Sequence, residues 1–395
     1  MAELLTLAEA LAAVLERVRP LPAEQVPLEH AFGRVLAEEA HAAVDLPPFA
    51  SSAMDGYAVY VADTPGRLPV VFRIAAGAPA PRSLERGETM SIATGGVVPS
   101  GADAVVPIED VVVHGDEVEF AAAVAGANVR PRGGDIATGA VVVGAGASLG
   151  PAQVGALAAA GIGTAVCARR PRVAVLTTGS ELRPPGSLLG AGEVYEANGV
   201  MLASQLRDAG ANVERLSPVA DDEAAHREAI GRGLEHDVLV TSGGVSVGPH
   251  DLVRRVEADL GVEEVFWGVA VKPGKPVSFG VRDGTFVFGL PGNPVSSLVA
   301  CELFVVPAVR ALQGAAEPGP RFDVGRLVRA VYRDGRRDQL LRAKAALGPE
   351  GVSLEPVGGQ ESHMIARAAE ANALVLIPRG DGTLEAGAPA RFLRV

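Results

Sequence analysis

The feature that most constrains the fold is an alternation of apolar and amphipathic segments between residues 172 and 313. Continuous apolar segments such as Arg172–Leu176 and Thr285–Leu290 predict strands that are buried on both faces. Strands separated by helices pair in parallel, because each crossover returns the chain to the same end of the sheet. We therefore predict a doubly wound parallel sheet. Its other predicted strands are Asn212–Pro218 and Asp237–Thr241, and its predicted helices are Val200–Ala209, Asp222–Leu234, His250–Asp259 and Val295–Leu312.

The remainder of the chain divides where the hydrophobic period changes. Before residue 47 it predicts a helix beginning near Leu4, a strand over Gln25–Leu28 and a helix over Ala31–Ala40. Strands and turns follow, including a hairpin over Val111–Phe120, and then a strand, a helix and a strand. Short strands with Gly/Pro turns end the chain, as in a small β-barrel or sandwich. The predicted domains are 1–46 plus 138–170 (an elongated helical domain), 47–137 (an inserted β-domain), 171–315 (α/β) and 316–395 (a C-terminal β-barrel).

Composition excludes several classes of protein. The formal charge of -12 argues against general nucleic-acid binding, which needs a basic face. Cys167 and Cys301 form no CxxC pair and the seven histidines are scattered, so a thiolate zinc site and a disulfide framework are not expected. Two separated cysteines suit a reducing cytoplasm. The acidic N-terminus does not resemble a signal peptide, and no membrane-spanning segment is predicted.

Three predicted sheet strands run directly into glycine-rich turns, at Thr177–Leu182, Thr241–Gly248 and Leu290–Ser297. Ligands of open parallel sheets bind beyond the carboxyl ends of the strands, where glycines let backbone amides approach an anion. One such turn is equally explained by the tight geometry of a βα connection. Three at one edge favour a phosphate-bearing ligand. P-loop and dinucleotide fingerprints are absent from the chain.

The distribution of lysine is unusual. Of 35 basic residues only Lys272, Lys275 and Lys344 are lysines, and the first two lie in one proline-braced segment, Val271–Pro276. Arginine is the usual cation in this chain, so lysine here indicates a need for a compact point charge, such as contact with a phosphate or oxyanion. The alternative is an exposed loop in which two lysines occur by chance.

Four acids follow predicted strand ends, namely Glu181, Asp221, Asp222 and Asp251. Carboxylates at such positions are suited to hold Mg²⁺ between phosphates. Each is also consistent with a helix N-cap or a solvated surface acid, and Asp222 suits the capping role well. In the β-region, Met54–Tyr57, Thr94–Pro99 and Arg132–Ile136 are consistent with plain turns.

Taken in order, these segments resemble the molybdopterin molybdenumtransferase family, of the MoeA and gephyrin E-domain type. The resemblance covers essentially the whole chain. It rests on Ser52–Val59, Ala93–Gly95 with Pro99–Val105, Arg132–Ile136, Thr178–Leu182, Ser242–Gly248 with Asp251, Lys272–Pro276 and Gly289–Ser296. Any one of these motifs could arise by chance, whereas all seven in sequence order are highly specific.

The resemblance implies an enzyme that inserts molybdate into adenylyl-molybdopterin, releases AMP and uses Mg²⁺. It implies the four domains predicted above and a homodimer whose active site is shared between subunits. Other proteins of molybdenum cofactor synthesis are candidate partners, and neither nucleic acid nor membrane is expected. The implied catalytic residues are Asp55, Thr94, Asp135, Glu181 and Asp251, and the metal ligands are Glu181, Asp221 and Asp251. The implied substrate-binding residues are Ser242, Gly243, Gly244, Ser246, Lys272, Lys275, Pro291, Asn293, Pro294 and Ser362.

Two alternative functions share part of this pattern. A molybdopterin adenylyltransferase shares the α/β domain but does not require the inserted β-domain. A non-catalytic scaffold of the gephyrin type could lose its site acids, whereas Asp55, Asp251 and both loop lysines are retained. The chain also departs from the family pattern. These departures are Ala50 and Ser51 in place of Asp-Asn, Ser180 in place of Asp, Gly268 in place of Lys, and Glu196-Ala197 in place of Asp/Asn-Thr/Ser.

Overall fold

The computed structural model describes residues 4–220, 222–244 and 252–395. Besides three short 3-10 helices (Leu28–His30, Val61–Asp63 and Ile108–Asp110), the described part of the first 170 residues forms strands and two α-helices. In chain order these are α1 (Leu7–Leu15), β1 (Ala23–Pro27), β2 (Ala40–His41), β3 (Ser51–Ser52), β4 (Gly56–Val59), β5 (Gly66–Ile74), β6 (Thr89–Ile92), β7 (Ala104–Pro107), β8 (Val111–His114), β9 (Glu117–Phe120), β10 (Val129–Arg130), β11 (Val141–Val143), α2 (Pro151–Ala159) and β12 (Thr164–Ala168).

The N-terminal segment and the segment after residue 137 pair with each other. Strand β1 pairs with β12, and β2 pairs with β11, both antiparallel. Between them, β7, β4, β6, β5, β9 and β8 form a six-stranded sheet in that order, which includes the predicted β8–β9 hairpin. Two short hydrophobic cores pack on this sheet, one around Tyr57 and Phe120 and the other around Met90. A β-region is thus inserted between two paired halves.

The helix predicted over Ala31–Ala40 is wrong. Gly33 has a φ of +71°, which interrupts a right-handed helix, and its N–H donates to Leu149 O at 2.9 Å. The N–H groups of Leu36 and Ala37 donate to Ala147 O and Val166 O, at 3.0 and 2.9 Å. Apart from the Arg34 N–H, which donates to Ala31 O at 3.0 Å, these N–H groups therefore bond to the later segment 147–166 instead of to one another.

Helices and strands alternate in the next region. Its elements are β13 (Arg172–Thr177), β14 (Leu182–Arg183), β15 (Val194–Tyr195), α3 (Asn198–Asp208), β16 (Asn212–Arg215), α4 (Glu223–Gly233), β17 (Val238–Ser242), α5 (Leu252–Asp259), β18 (Glu263–Trp267), β19 (Val271–Lys272), β20 (Ser278–Arg282), β21 (Thr285–Leu290), α6 (Pro294–Ala300) and α7 (Val306–Leu312). The π-helical segment Cys301–Val305 joins α6 to α7.

The main sheet of this region has the order β16-β13-β17-β21-β20-β18. Its first four strands are parallel, as predicted, and β20 and β18 extend it antiparallel. The antiparallel edge arises because Asp283 and Gly284, with φ of +48° and +88°, form a two-residue hairpin turn between β20 and β21. Apolar side chains pack on both sheet faces, against α3, α6 and α7 on one side and α4 and α5 on the other.

One helical segment among the described residues, Pro294–Leu312, is long and apolar enough to cross a membrane. Of its most apolar window, 78% is buried inside the protein. It packs against α1 and α3 in the main core. The structure therefore uses this segment as the central core helix of the α/β region.

The C-terminal region is a closed barrel. Its elements are β22 (Asp323–Leu327), β23 (Val331–Tyr332), β24 (Asp338–Gly348), β25 (Gly351–Pro356), α8 (Ile365–Ala368), β26 (Ala373–Ile377), β27 (Thr383–Leu384) and β28 (Pro389–Arg394). Five strands close in the order β24-β25-β22-β28-β26, and β26 pairs back onto β24. Because the sheet closes on itself, this region is a barrel and not a sandwich, the alternative that the sequence left open.

Candidate active site

The first residues of the three glycine-rich turns lie side by side at one edge of the main sheet, and residues 245–248 of the second turn lie outside the described residues. Strands β13, β17 and β21 are adjacent and parallel, so their carboxyl ends meet there. The Thr178 N–H donates to Ser242 O, and the Gly243 N–H donates to Leu290 O, each at 3.1 Å. These two bonds link the turns in pairs and confirm the common edge predicted from the sequence.

Side chains join the same turns a second time. The Ser242 hydroxyl is buried and donates to Pro291 O at 3.1 Å. The Asn198 amide donates to Ser242 Oγ at 3.0 Å and to Gly292 O at 2.8 Å. Asn198 was not predicted as a site residue, because its position at the start of α3 gives no sequence signal of its own. It fixes two of the turns relative to each other.

The glycines after β17 are required by close packing. Gly243 and Gly244 have φ of +101° and +67°. A Cβ would lie 2.7 Å from Thr178 O at Gly243 and 2.5 Å from Val253 Cγ2 at Gly244. The local structure alone therefore explains both glycines. Three predicted site residues, Asp221, Ser246 and Asp251, lie outside the described residues.

The lysine segment borders a cavity of about 500 Å³ between the α/β region and the barrel. Five residues predicted to bind substrate line it: Lys272, Lys275, Pro291, Asn293 and Ser362. Pro294, a sixth predicted residue, is the first residue of α6, directly after Asn293. Sequence reasoning missed other lining residues, among them Ser296, Arg337 and His363. The cavity is therefore lined by residues that lie up to 91 positions apart in the chain.

Backbone pairing brings the barrel to this cavity. Strand β19 runs parallel to the start of β24, and the Asp338 N–H donates to Ala270 O at 2.9 Å. On the other side, the Val295 N–H in the first turn of α6 donates to Ser362 O at 3.0 Å. The lysine segment and the 360–363 segment are thus attached to both regions.

The cavity carries more positive than negative charge. Lys272 and Lys275 are exposed, and Arg337 is 30% exposed and ion-paired with Asp334 at 3.2 Å. The Arg336 N–H, followed by the Arg337 charge, lowers the pKa of the Asp334 carboxyl. Glu361 is the one acid among the lining residues. Even with the Arg337 charge paired to Asp334, two lysines against Glu361 leave the lining net positive, which favours an anionic ligand locally in spite of the negative charge of the whole chain.

In the β-region, Asp55 and Thr94 form a compact pair. Asp55 Oδ1 accepts hydrogen bonds from the Thr94 N–H at 2.7 Å and from the Thr94 hydroxyl at 3.1 Å. The backbone bond, followed by the hydroxyl bond, lowers the pKa of the Asp55 carboxyl. Both residues are exposed. Asp55 is therefore a fixed, ionised carboxylate at the surface.

Asp135 lies at the neck of the β-region, where the chain enters and leaves it. Its N–H donates to Leu46 O at 2.9 Å. Beside it, Asp45 accepts from the Thr138 N–H and hydroxyl, both at 2.8 Å, and from Arg132 Nε at 2.5 Å. These bonds lower the pKa of Asp45 to about 2, the Thr138 N–H contributing most. Asp45, which was not predicted, thus holds the segment that carries Asp135.

Glu181 is exposed in the turn after β13, and its carboxylate lies under Gly179, where a Cβ would approach Oε2 to 2.6 Å. It is the one predicted metal ligand among the described residues, since Asp221 and Asp251 lie outside them. Within residues 4–220, 222–244 and 252–395, no group of three or more His, Cys, Asp or Glu residues could hold a metal ion. The described residues alone therefore do not form a metal site.

Two departures from the family pattern have structural explanations. Gly268 has a φ of +88°, and a Cβ there would lie 2.7 Å from a Leu4 methyl carbon, so a lysine does not fit without rearrangement. Glu196 is buried, pairs with Arg215 at 2.8 Å and accepts the Gly199 N–H at 2.5 Å. It therefore supports the start of α3.

All lining residues of the cavity come from positions 272–363. The Asp55–Thr94 pair and Asp135 belong to a separate region, and none of them lines the cavity in one chain. The predicted site residues thus fall into two groups, one at the α/β–barrel junction and one on the β-region.

Comparisons with known proteins cover both groups. The chain matches a family described as "MoeA N-terminal region (domain I and II)" over residues 5–161, one described as "Probable molybdopterin binding domain" over 174–311, and one described as "MoeA C-terminal region (domain IV)" over 324–394. It is 36% identical over 390 residues to molybdopterin molybdenumtransferase 2 of Mycobacterium tuberculosis, with 95% of each chain covered. It is 31% identical to molybdopterin molybdenumtransferase of Staphylococcus aureus, covering 96% of this chain and 93% of that one.

Solved structures agree. A crystal structure of the molybdopterin biosynthesis MoeA protein from Pyrococcus horikoshii superposes with a TM-score of 0.86 at 27% identity, over 100% of both chains. A second structure with that description superposes with a TM-score of 0.81 at 33% identity, over 99% of both chains. Full-length likeness in sequence and in fold establishes that the chain belongs to the MoeA family of molybdopterin molybdenumtransferases.

Proposed function

We propose that this chain inserts molybdate into adenylyl-molybdopterin and releases AMP. Its relatives' names indicate molybdenum transfer to molybdopterin, and the family resemblance implies the adenylylated substrate and the release of AMP. The observation that carries the proposal is the cavity, where Lys272, Lys275 and Arg337 converge beside the glycine-rich edge of the sheet. A tetrahedral oxyanion needs several donors from different directions, and charge-assisted donors bind it most strongly.

The two sides of the cavity supply different donors. The lysine ammonium groups each offer three N–H donors on a flexible stem. Ser296, Ser362 and Arg337, whose side chains carry hydroxyl and guanidinium donors, line the same space. We assign molybdate to this cavity and the pterin phosphate to the adjoining turns at Ser242 and Pro291. The carboxyl ends of parallel strands, where these turns lie, are the usual ligand-binding edge of such a sheet.

The Asp55–Thr94 pair supplies a fixed negative charge. Because Thr94 lowers the pKa of Asp55, that carboxylate stays ionised near neutral pH. An ionised carboxylate is suited to orient a cation or a donor group, and less suited to carry a proton. We propose that Asp55, Thr94 and Asp135 complete the site of the partner subunit in a homodimer, because none of them lines the cavity of its own chain.

We propose that Mg²⁺ is bound by Glu181, Asp221 and Asp251. Carboxylate oxygens suit this hard cation, and among the described residues Glu181 is exposed beside the glycine-rich edge. AMP release should then stop in excess EDTA and return on adding Mg²⁺. Full activity in EDTA would refute the assignment.

Two further proposals concern the whole chain. We assign it to the cytoplasm, because Cys167 and Cys301 are both free and buried. We place the domain boundaries at 46/47, 137/138, 170/171 and 315/316. Limited proteolysis with mass spectrometry should yield fragments that end near these positions, whereas cuts mainly inside the regions would move them.

The deciding experiment is incubation of purified protein with adenylyl-molybdopterin, molybdate and Mg²⁺, followed by measurement of AMP. A molybdenumtransferase releases AMP in a molybdate-dependent manner. An adenylyltransferase would instead consume ATP and molybdopterin and release pyrophosphate. A scaffold would do neither, so the three functions give different products.

A further inference from the structure

Arg342 is the largest of the most deeply buried side chains in the described part of the chain, with 1% of its surface exposed. It lies on β24, where Leu341, Ala343 and Ala345 pack in the barrel core, so the alternation of side chains along the strand turns Arg342 away from that core. It does not line the cavity. Burying a guanidinium is costly unless its N–H groups are satisfied. In the described residues it forms no ion pair. Its partners must therefore be neutral acceptors.

Those acceptors are backbone carbonyls of a single loop. The Arg342 guanidinium donates from Nη1 to Met364 O at 2.6 Å, and from Nη2 to Gly359 O at 2.6 Å and Glu361 O at 3.2 Å. The Gln360 side chain strengthens the attachment, since it accepts the Arg342 N–H at 3.1 Å and donates to Arg342 O at 2.9 Å. One arginine thus holds a loop of six residues by its backbone carbonyls.

The bonded carbonyls lie on both sides of Ser362 and His363, which are two of the four loop residues that line the cavity. Ser362 and His363 lie between Glu361 and Met364, and both line the cavity. Their own carbonyls are also taken, Ser362 O by the Val295 N–H at 3.0 Å and His363 O by the Ile365 N–H at 2.9 Å. Across the described structure, the N–H groups of Ser362 and His363 donate to no protein acceptor. With its carbonyls engaged elsewhere, the loop has donors available for an anion.

We propose that Arg342 is a positioning residue that holds Ser362 and His363 against the cavity, and so sets the affinity for a tetrahedral oxyanion that it does not touch. The inference rests on the proposed role of the cavity as the oxyanion site. The competing view is that Arg342 only supports the barrel. In that case its loss would lower stability and leave the affinity of the folded protein unchanged.

The test measures molybdate binding by calorimetry for folded Arg342→Ala, Lys275→Ala and two controls. Arg326→Met removes a barrel guanidinium that donates to another turn carbonyl, Gly387 O, at 3.0 Å. Leu354→Ala destabilises the barrel core, where Leu354 is fully buried. Arg342→Ala should weaken binding about tenfold, the effect of one misplaced charge-assisted hydrogen bond. Both controls should stay within about twofold of wild type.

Chemical rescue by free guanidinium distinguishes a positioning role of Arg342 from structural support of the barrel. Guanidinium ion at low millimolar concentration, far below the molar range that unfolds proteins, should occupy the space left in Arg342→Ala and restore most of the affinity. It should not restore Lys275→Ala. If Arg342→Ala does not fold, Arg342→Lys replaces it, and binding weakened about tenfold again supports the proposal.

Three results would overturn the inference. Wild-type affinity in the Arg342 variant, with Lys275→Ala weakened, would leave the cavity assignment standing and remove the role of Arg342. If Arg342→Ala binds molybdate weakly, guanidinium does not restore the affinity, and Leu354→Ala binds equally weakly, then Arg342 is only a structural support. Wild-type affinity in Lys275→Ala would refute the cavity assignment itself and the inference with it.

Discussion

The two groups of candidate residues are held in different ways. At the α/β–barrel junction, the residues that line the cavity are held by three elements of the same chain. These are β19, α6 and the loop that Arg342 contacts. On the β-region, Asp55 and Thr94 are exposed and bonded mainly to each other. The first group resembles a finished binding site and the second resembles one half of a site. We therefore expect the exposed Asp55 carboxylate, with its lowered pKa, to function only when another surface lies opposite it.

The largest effect is expected from variants that disable one of the two groups of candidate residues at a time. Asp55→Asn and Lys275→Ala homodimers should each lose AMP release by on the order of 100-fold or more, since each removes a charge aimed at the reacting groups. Co-expressed, they should recover about a quarter of wild-type activity, because random pairing makes half of the dimers mixed and each mixed dimer has one intact site.

The matched control co-expresses Asp55→Asn with Asp135→Asn. Both changes lie on the same half, so every site in every dimer carries one of them and no recovery is expected. Activity of the Asp55/Lys275 mixture equal to that of either parent would show that both groups act within one chain.

A second, smaller effect is expected from changing the shape of a cation while its charge is kept. Lys272→Arg and Lys275→Arg place a wide planar guanidinium where Pro273 and Pro276 stiffen the segment. Molybdate-dependent AMP release should fall by about 10- to 150-fold, the equivalent of one charge-assisted hydrogen bond at about 1.5–3 kcal/mol.

Lys344→Arg is the control for this pair, because Lys344 is exposed on β24 and does not line the cavity. It should be nearly silent. Wild-type activity in both loop variants would mean that the loop needs only positive charge. Damage in Lys344→Arg alone would place the site elsewhere.

Local signals in the sequence were sufficient for the α/β part of the site. Apolar strands ending in glycines predicted that the turns at Thr178, Ser242 and Pro291 meet at one edge, and the structure confirms it. The scarcity of lysine singled out Lys272 and Lys275, which do line the cavity. Each of these features depends on residues close together in the chain, where periodicity and turn chemistry are informative.

Residues whose role depends on tertiary placement could not be found in this way. Arg337 and Arg342 are two of many arginines, and what separates them is burial and which carbonyl or carboxylate they contact. Asn198 and Asp45 act through bonds to segments 44 and 93 positions away. The helix predicted over Ala31–Ala40 failed for a related reason, since long-range strand pairing overrode local periodicity.

A moderate effect is expected at the neck of the β-region. Asp45→Asn removes the charge that accepts from Thr138 and Arg132, and should reduce AMP release several-fold by loosening the segment that carries Asp135. The folded-state pKa of Asp45, about 2, is below its ordinary value of 3.8. Its stabilising effect is therefore present above about pH 4 and is lost as the pH falls through 2.

Thermal unfolding of wild type and Asp45→Asn between pH 7 and pH 2 checks this sign. The difference in melting temperature should be constant down to about pH 4 and should then shrink as the wild-type carboxyl takes up its proton. A difference in melting temperature that grows toward low pH would contradict the stabilising role of the ionised Asp45 carboxylate. Arg67, which pairs with Glu119 at 3.1 Å on the surface of the same region, provides a control as Arg67→Met, with little expected change.

The smallest effect is expected at Thr94, and it concerns pH more than rate. Thr94→Val removes the hydroxyl bond to Asp55 and leaves the backbone bond, which is the larger cause of the lowered pKa. The pKa of Asp55 should rise, and activity that needs the ionised carboxylate should therefore appear at higher pH on the acid side of the profile. At pH 7, kcat should change by about twofold or less, because Asp55 stays ionised in both proteins. Thr138→Val is the matched control, since it removes the same kind of hydroxyl bond from Asp45 and should leave the acid limb in place. An acid limb that moves equally in both variants would show that the neck, and not Asp55, governs the pH dependence.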